Sequence, residues 1–296
     1  MSSKAYFDAA FLRRLESLRL IAKRLADRAP AGGQLSRTLG DGLEFADHRA
    51  YTPGDDVRFL DWPYFARMEK LLVRLFHRHS ESDVAILLDA SASMAAGGPG
   101  KFDHVRRVVA ALAYVAVGGG RRVVVQPFAE VPGRAIRSAR DRARLLPFLD
   151  SLAALHPRGQ TALGVCVRDF VRRTRNVGTV FLVSDLLDAE ADLPAALASL
   201  DSTRRDVVVL HAFSPLDAAP TPIGAVQLRH AETGRSEPMD ITAVLCERYA
   251  AAWGEFRSAL EHTCRARQAT YIPAPTDAPF ERLLLHTLRR AGVLDS

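Results

Sequence analysis

Cysteine is scarce in this chain, and the three cysteines stand far apart. Cys166, Cys246 and Cys264 are odd in number and form no Cys-x-x-Cys pair. This pattern excludes a disulfide framework and gives no sign of a zinc site. We expect all three to be small residues of the core.

Long apolar runs are also missing. No stretch reaches the roughly 18 uncharged apolar residues that a membrane helix needs, and the first eight residues lack the apolar core of a signal peptide. With 296 residues, 48% of them hydrophobic and 25% charged, the chain is long enough for one large globular domain or two small ones. We predict a cytoplasmic protein without a transmembrane segment.

The positive charge is concentrated at the start of the chain. Of the net charge of +6, residues 1–28 contribute +4, with seven basic and three acidic side chains. The chain has no helix-turn-helix pattern, zinc finger or aromatic-rich binding strand, so we expect no nucleic-acid partner. A basic face that meets water or an acidic protein explains the charge more simply.

The first 33 residues predict one amphipathic helix. Apolar side chains recur at helical spacing within residues 8–28, and Pro30, Gly32 and Gly33 end the pattern. We expect the apolar face of this helix to pack onto the rest of the protein and not onto a membrane surface or a partner.

Residues 34–82 differ in character from the helix before them. Glycine, charged and aromatic residues alternate without a helical period, and a strand-like apolar run follows at 71–76. We predict a small β-rich segment of short strands and turns, with no helix. Within it, the turn Tyr51–Asp56 is interpreted as being pinned by nearby arginines, with a binding surface or a second acidic site as alternatives.

From residue 83 to residue 296 the pattern alternates regularly between strand and helix. Strands are predicted at 84–89, 122–128, 179–184, 206–212 and 269–273, with an antiparallel edge strand at 131–137. Helices are predicted at 101–117, 140–153, 161–173, 190–200, 243–266 and 279–291. A proline- and glycine-rich stretch at about 214–240 predicts an inserted hairpin. The fold class is therefore α/β, a doubly wound and mostly parallel sheet with helices on both faces.

Oxygen-bearing side chains follow the first strand of this region. The apolar run 84–88 leads directly into Asp89, and Ser91 and Ser93 follow at intervals of two residues. The carboxyl end of a strand in an open parallel sheet is where ligands bind. Hard oxygen donors at that place favour Mg²⁺ or Mn²⁺ over Zn²⁺.

This Asp-x-Ser-x-Ser element resembles the metal-ion-dependent adhesion site of von Willebrand factor A domains, with Thr161 before a later helix and Asp185 at the end of the next strand. Gln160 replaces the second glycine of the family's Gly-Gly-Thr element. The resemblance implies that Ser91, Ser93 and Thr161 bind the metal directly and that Asp89 and Asp185 act partly through water. An open coordination position would then accept a carboxylate from a partner protein.

Other elements resemble the signature of the domain-of-unknown-function family DUF58. They are Gly40–Phe45, Arg49–Arg58, Asp61-Trp62, Ala66-Arg67, Val73-Arg74 and Glu232-Thr233-Gly234. Many members of that family carry N-terminal membrane helices, which we do not predict here. The resemblance implies an adaptor or co-chaperone that works with a MoxR-type AAA+ ATPase.

The candidate site residues also allow interpretations other than metal binding. The two aspartates could be helix N-caps and the hydroxyls could bond the backbone. The glycines before Lys101 lack the spacing of a phosphate loop, and no Ser-His-Asp set or Gly-x-Ser-x-Gly element is present. We therefore predict a non-catalytic protein, with a metal-dependent phosphoester hydrolase at the same oxygen-rich site as the alternative.

Overall fold

The structure is a computed structural model, in which two compact units are distinguished: Met1–Asp27 together with Ser82–Ser296, and Arg28–Glu81. The residues described are 7, 9–26, 44–51, 60–68, 70–77, 83–97, 100–138, 145–174, 177–200, 205–221 and 224–290. The larger unit carries the predicted site, and the smaller one is described by itself below.

A six-stranded sheet forms the centre of the larger unit. The strands, numbered in chain order through the whole protein, are β3 (Asp83–Asp89), β4 (Val123–Phe128), β5 (Ile136–Arg137), β6 (Val177–Ser184), β7 (Asp206–Phe213) and β10 (Thr270–Pro275). Their order across the sheet is β10-β7-β6-β3-β4-β5, and every neighbouring pair is parallel except β4 and β5. Because β3 and β6 are neighbours in the middle, their carboxyl ends lie side by side.

Helices cover both faces of this sheet. They are α1 (Ala9–Ala26), α3 (Lys101–Gly118), α4 (Leu145–Ala153), α5 (Leu163–Arg173), α6 (Leu193–Leu200), the short α7 (Pro215–Ala218), α8 (Ala243–Ala266) and α9 (Phe280–Arg290). One apolar core joins α1, α3, α4 and α9 to one face, and a second joins α5, α6 and α8 to the other. The predicted fold class, a doubly wound and mostly parallel α/β sheet, is confirmed.

The N-terminal helix packs onto the larger unit. Phe11, Leu15 and Leu18 are buried in the first core, and the rings of Phe11 and Phe280 lie 5.2 Å apart. Arg14 pairs with Glu281 of α9 and lies over the ring of Phe280. The helix therefore covers the protein's own body, as its apolar stripe predicted.

A hairpin interrupts the chain between β7 and α8. It consists of β8 (Gly224–Arg229) and β9 (Ser236–Ile241), which pair with each other in antiparallel register. All of its strand side chains are exposed except those of Val226 and Ile241, which are half-buried. The hairpin thus adds almost nothing to the core.

The smaller unit contains β1 (Glu44–Ala50), α2 (Trp62–Met68) and β2 (Leu72–His77), with β1 antiparallel to β2. The two strands agree with the prediction, but the exclusion of a helix was wrong. Asp61 starts α2, because its Oδ1 accepts the N–H of Tyr64 at 2.9 Å and Pro63 is tolerated in the first turn. Most of the predicted turn at Tyr51–Asp56 lies outside the described residues.

Most predicted boundaries differ from the observed ones by one to three residues. Of the predicted edge strand at 131–137, only Ile136 and Arg137 form a strand beside β4. The start of the predicted helix 140–153 lies outside the described residues. The helix predicted from Thr161 begins at Leu163, because Thr161 hydrogen-bonds elsewhere. Cys166 and Cys264 are buried as expected, while Cys246 is only half-buried.

Candidate metal centre

Asp89 lies at the end of β3, fully buried, and hydrogen-bond donors from two other residues contact its carboxylate. The N–H of Ser91 donates to Oδ1 at 2.9 Å, and the hydroxyl of Ser184, the last residue of β6, donates to Oδ2 at 2.5 Å. Ser184 also accepts the N–H of Leu186 at 3.0 Å. The neighbouring strand therefore orients the carboxylate that the sequence predicted as a ligand.

Burial, and after it the nearby negative charge of Asp185, raises the pKa of Asp89 to about 7. The hydrogen bonds from Ser184 and Ser91 act in the opposite direction because they stabilise the carboxylate. Because the ionised form of Asp89 is unfavourable in these buried surroundings, a bound cation would stabilise it strongly.

Ser91 and Ser93 are buried beside Asp89, and their hydroxyl oxygens lie 3.0 Å apart. Ser93 belongs to a 3-10 turn, Ala92–Ala95, and Ser91 precedes that turn without capping it through its side chain. Among the described residues, these two hydroxyls bond each other and neither bonds the backbone, as the alternative interpretation would require. The pair leaves oxygen lone pairs available for a further ligand.

Asp185 follows β6 and is also buried, but its carboxylate is already paired with a cation. The ammonium of Lys101, the first residue of α3, lies 2.9 Å from Oδ2 of Asp185 and 3.4 Å from Oδ2 of Asp217. The Lys101 side chain has no exposed surface, and Asp217 is 11% exposed. A positive charge from the chain itself thus balances part of the acidic cluster.

Thr161 lies in a loop that is hydrogen-bonded to the loop after Asp89. The N–H of Ala92 donates to the carbonyl of Gly159 at 2.9 Å, and the N–H of Arg158 donates to the carbonyl of Ala90 at 2.8 Å. These bonds tie the loop before Thr161 to the loop after Asp89. Among the described residues, no hydrogen bond joins Thr161 itself to Asp89 or to either serine.

The side chain that contacts Thr161 comes from the hairpin. Glu232 lies in the turn between β8 and β9; its Oε2 accepts the N–H of Thr161 at 2.9 Å, and its Oε1 accepts the Thr161 hydroxyl at 2.9 Å. The hairpin therefore brings a carboxylate to a predicted ligand of the metal.

The donor set fits a hard divalent cation. In the part of the chain that the structure describes, no three His, Cys, Asp or Glu side chains group in a way that could hold a metal. A cation at this place would depend on hydroxyl as well as carboxylate oxygens, and among the predicted ligands Asp89, Ser91 and Ser93 are joined by direct hydrogen bonds. Oxygen donors of this kind suit Mg²⁺ or Mn²⁺.

Four polar residues of the site were not predicted from the sequence to belong to it: Lys101, Ser184, Asp217 and Glu232. The local pattern Ser214-x-x-Asp217 was a detectable signal, because it forms a capping box around the short helix α7. Ser184 was visible only as the last residue of a buried strand, directly before Asp185. Nothing in the local sequence indicated that Lys101 and Glu232 reach this place from distant elements.

A family model described as "Protein of unknown function DUF58" matches residues 47–258, which is more than half of the chain. This chain belongs to the DUF58 family. An uncharacterized protein of Mycobacterium tuberculosis is 28% identical over 271 residues, which cover 89% of this chain and 84% of that protein.

Two solved structures show a more distant likeness. An aerotolerance-related membrane protein of Bacteroides fragilis is 22% identical, with 72% of this chain and 99% of that chain covered and a TM-score of 0.47. A von Willebrand factor type A structure from Catenulispora acidiphila is 15% identical, with 75% and 43% covered and a TM-score of 0.44. No helix among the described residues of our chain is long and apolar enough to cross a membrane.

Proposed function

We propose that this DUF58 protein is a non-enzymatic, metal-dependent protein-interaction domain. The observation that carries the proposal is the buried cluster in which Asp89, Ser91 and Ser93 meet the end of β6 beside Asp185. Neutral hydroxyls make up most of this donor set. A cation held mainly by such ligands keeps its attraction for one more anionic oxygen.

In this proposal, Ser91, Ser93 and Thr161 offer hydroxyl oxygens to Mg²⁺ or Mn²⁺, and Asp89 and Asp185 supply the negative charge. When bound, the cation would offer an electrophilic position to a carboxylate of a partner protein. Ser184 keeps Asp89 in place, and Lys101 limits the repulsion between the acidic groups. The resemblance to DUF58 proteins supports a MoxR-type AAA+ ATPase as the partner, and we propose the cytoplasm as the location.

The first test measures Mn²⁺ binding to the purified full chain by electron paramagnetic resonance. We expect wild type to bind one equivalent that Mg²⁺ displaces, Asp89→Asn to lose this binding, and the exposed control Asp150→Asn to keep it. Failure of wild type to bind either cation would contradict the proposal.

The second test concerns the partner and the absence of catalysis. We expect a purified MoxR-type ATPase from the same organism to bind wild type in Mg²⁺, and to bind neither wild type in EDTA nor Asp89→Asn. Purified protein should not hydrolyse p-nitrophenyl phosphate or its diester with either metal. Turnover that disappears in Asp89→Asn would instead support the phosphoester hydrolase.

A further inference from the structure

The strands of the hairpin β8–β9 are almost fully exposed. The turn between them nevertheless places the carboxylate of Glu232 at the candidate metal centre. Both carboxylate oxygens of Glu232 are used, one on the N–H of Thr161 and one on its hydroxyl. Such two-point contacts fix the position of a carboxylate better than a single bond does. Glu232 is therefore held at a defined position next to a proposed ligand oxygen.

The turn that carries Glu232 is itself well ordered. The N–H of His230 donates to the carbonyl of Arg235 at 2.8 Å, and the N–H of Gly234 donates to the carbonyl of His230 at 2.9 Å. Gly234 has a φ of +70°, a backbone conformation that glycine adopts without strain. The chain thus builds a tight turn that presents Glu232 from its tip.

Another carboxylate of the chain lies close to Glu232. Asp188 lies nearby, and its pKa is raised by burial and then by the charge of Glu232. A cation at this place would reduce the repulsion between these carboxylates.

The attachment of the hairpin is suited to release. Side-chain contacts of its tip include Glu232 with Thr161 and the ring of His230 with Asp188 at 3.7 Å, while the strands behind the tip remain exposed. Moving the tip away therefore exposes little apolar surface and breaks few hydrogen bonds.

We propose that Glu232 is the internal carboxylate of this centre, which completes the coordination of the bound cation until the carboxylate of a partner displaces it. This inference rests on the proposed function, because it needs a cation at the hydroxyl of Thr161. Oε1 of Glu232 lies 2.9 Å from that hydroxyl oxygen, so this carboxylate would be a near neighbour of a cation held by the hydroxyl. The hairpin is then an autoinhibitory arm of the interaction site.

The test uses Mn²⁺ as the probe and compares Glu232→Gln with Glu237→Gln, an exposed carboxylate of the same hairpin. Glutamine keeps the size of the side chain and one acceptor for Thr161, so the hairpin should keep its place. We expect Glu232→Gln to weaken Mn²⁺ binding about tenfold. Water-proton relaxation should show more exchangeable water on the bound Mn²⁺ than in wild type, and Glu237→Gln should match wild type in both.

The possible results separate the two proposals. If wild type and Glu232→Gln bind Mn²⁺ with the same affinity and the same hydration, while Asp89→Asn has lost binding, Glu232 is only a structural partner of Thr161 and this inference is wrong. If wild type binds no Mn²⁺ at all, the proposed function fails, and the inference fails with it. Slower exchange of the Thr161 amide hydrogen in wild type than in Glu232→Ala would show independently that the contact forms in solution.

Discussion

The ammonium of Lys101 lies 2.9 Å from Oδ2 of Asp185, and neither side chain has more than 2% of its surface exposed. The same ammonium reaches Asp217 at 3.4 Å. A buried ion pair is sensitive to the loss of one partner, because the remaining charge has neither water nor a counterion. The first helix residue of α3 thus holds together the end of β6 and the segment after β7.

Replacing Lys101 by methionine tests this arrangement. We expect Lys101→Met to lower the free energy of unfolding by about 3 kcal/mol in EDTA, because Asp185 and Asp217 stay buried without a counterion. Urea denaturation followed by circular dichroism measures the change. The matched control is Lys70→Met, whose side chain is exposed; equal midpoints for the two variants would show that the buried pair contributes no net stability.

Gly97 provides a second test of the same cluster. Its φ is +78°, and a Cβ at this position would clash with the carboxylate of Asp217. Gly100 has a φ of +98° but an open surrounding, so alanine there meets only the backbone penalty. We expect Gly97→Ala to be less stable than Gly100→Ala by about 1–2 kcal/mol in urea unfolding, because Asp217 must leave Lys101 and the N–H of Ser214.

Two outcomes would show whether Asp217 causes the stability loss of Gly97→Ala. A larger loss for Gly97→Ala that disappears in an Asp217→Ala background attributes the effect to this steric contact. Equal losses for the two glycine variants would mean that Asp217 shifts without cost, and the proposed role of its carboxylate would be wrong.

The sheet was predictable from sequence because the buried strands are short apolar runs that end at polar residues or glycine. Val84–Asp89 and Thr179–Ser184 needed only that local pattern, and the carboxyl edge they share followed from parallel pairing. The helix α2 was missed because aromatic and charged residues there hide the period, although Asp61 and Pro63 together form a start signal.

The candidate site was predictable only in its local part. Asp89, Ser91 and Ser93 follow one strand, so their proximity is a property of nearby sequence. Lys101 and Glu232 reach the site because of the packing of α3 and the path of the hairpin, which no local pattern encodes. Long-range contacts of this type depend on tertiary structure alone.

Ser184 is expected to act through Asp89. Its hydroxyl donates to Oδ2 of Asp89, and this bond lowers the pKa of the carboxyl group. We expect Ser184→Ala to lower the free energy of unfolding at pH 8 by about 1.5–3 kcal/mol, the range for hydrogen bonds to charged groups. The exposed Ser151→Ala is the control; a loss at pH 8 no larger than at pH 5 would contradict an interaction with the ionised carboxylate.

His211 makes stability depend on pH in a defined direction. Burial among aromatic rings lowers its pKa to about 3, from an ordinary value of 6.5. The unfolded chain therefore takes up a proton below about pH 6.5 while the folded chain does not, so this group removes stability as the pH falls from 6.5 towards 3. Between pH 6.5 and 5 we expect it to contribute a loss of about 2 kcal/mol.

The variant His211→Gln isolates that contribution. Glutamine can still accept a hydrogen bond from the hydroxyl of Tyr271, which lies 2.7 Å from Nδ1 of His211. Although the variant is less stable throughout, its unfolding free energy should fall less steeply than that of wild type between pH 6.5 and 5. Parallel pH curves for the two proteins would show that His211 does not cause the slope.

Metal affinity should depend on the protonation of Asp89. The pKa of this carboxyl is about 7 without metal, so a proton competes with the cation below that pH. We expect Mn²⁺ to bind about tenfold more weakly at pH 6 than at pH 8, because the ionised fraction changes by that factor around a pKa of 7. Ser184→Ala removes a hydrogen bond that lowers the pKa of Asp89. The curve of Mn²⁺ affinity against pH should therefore shift to higher pH in this variant. Equal affinity at pH 6 and pH 8 in wild type would mean that the carboxylate of Asp89 is not needed to hold the metal.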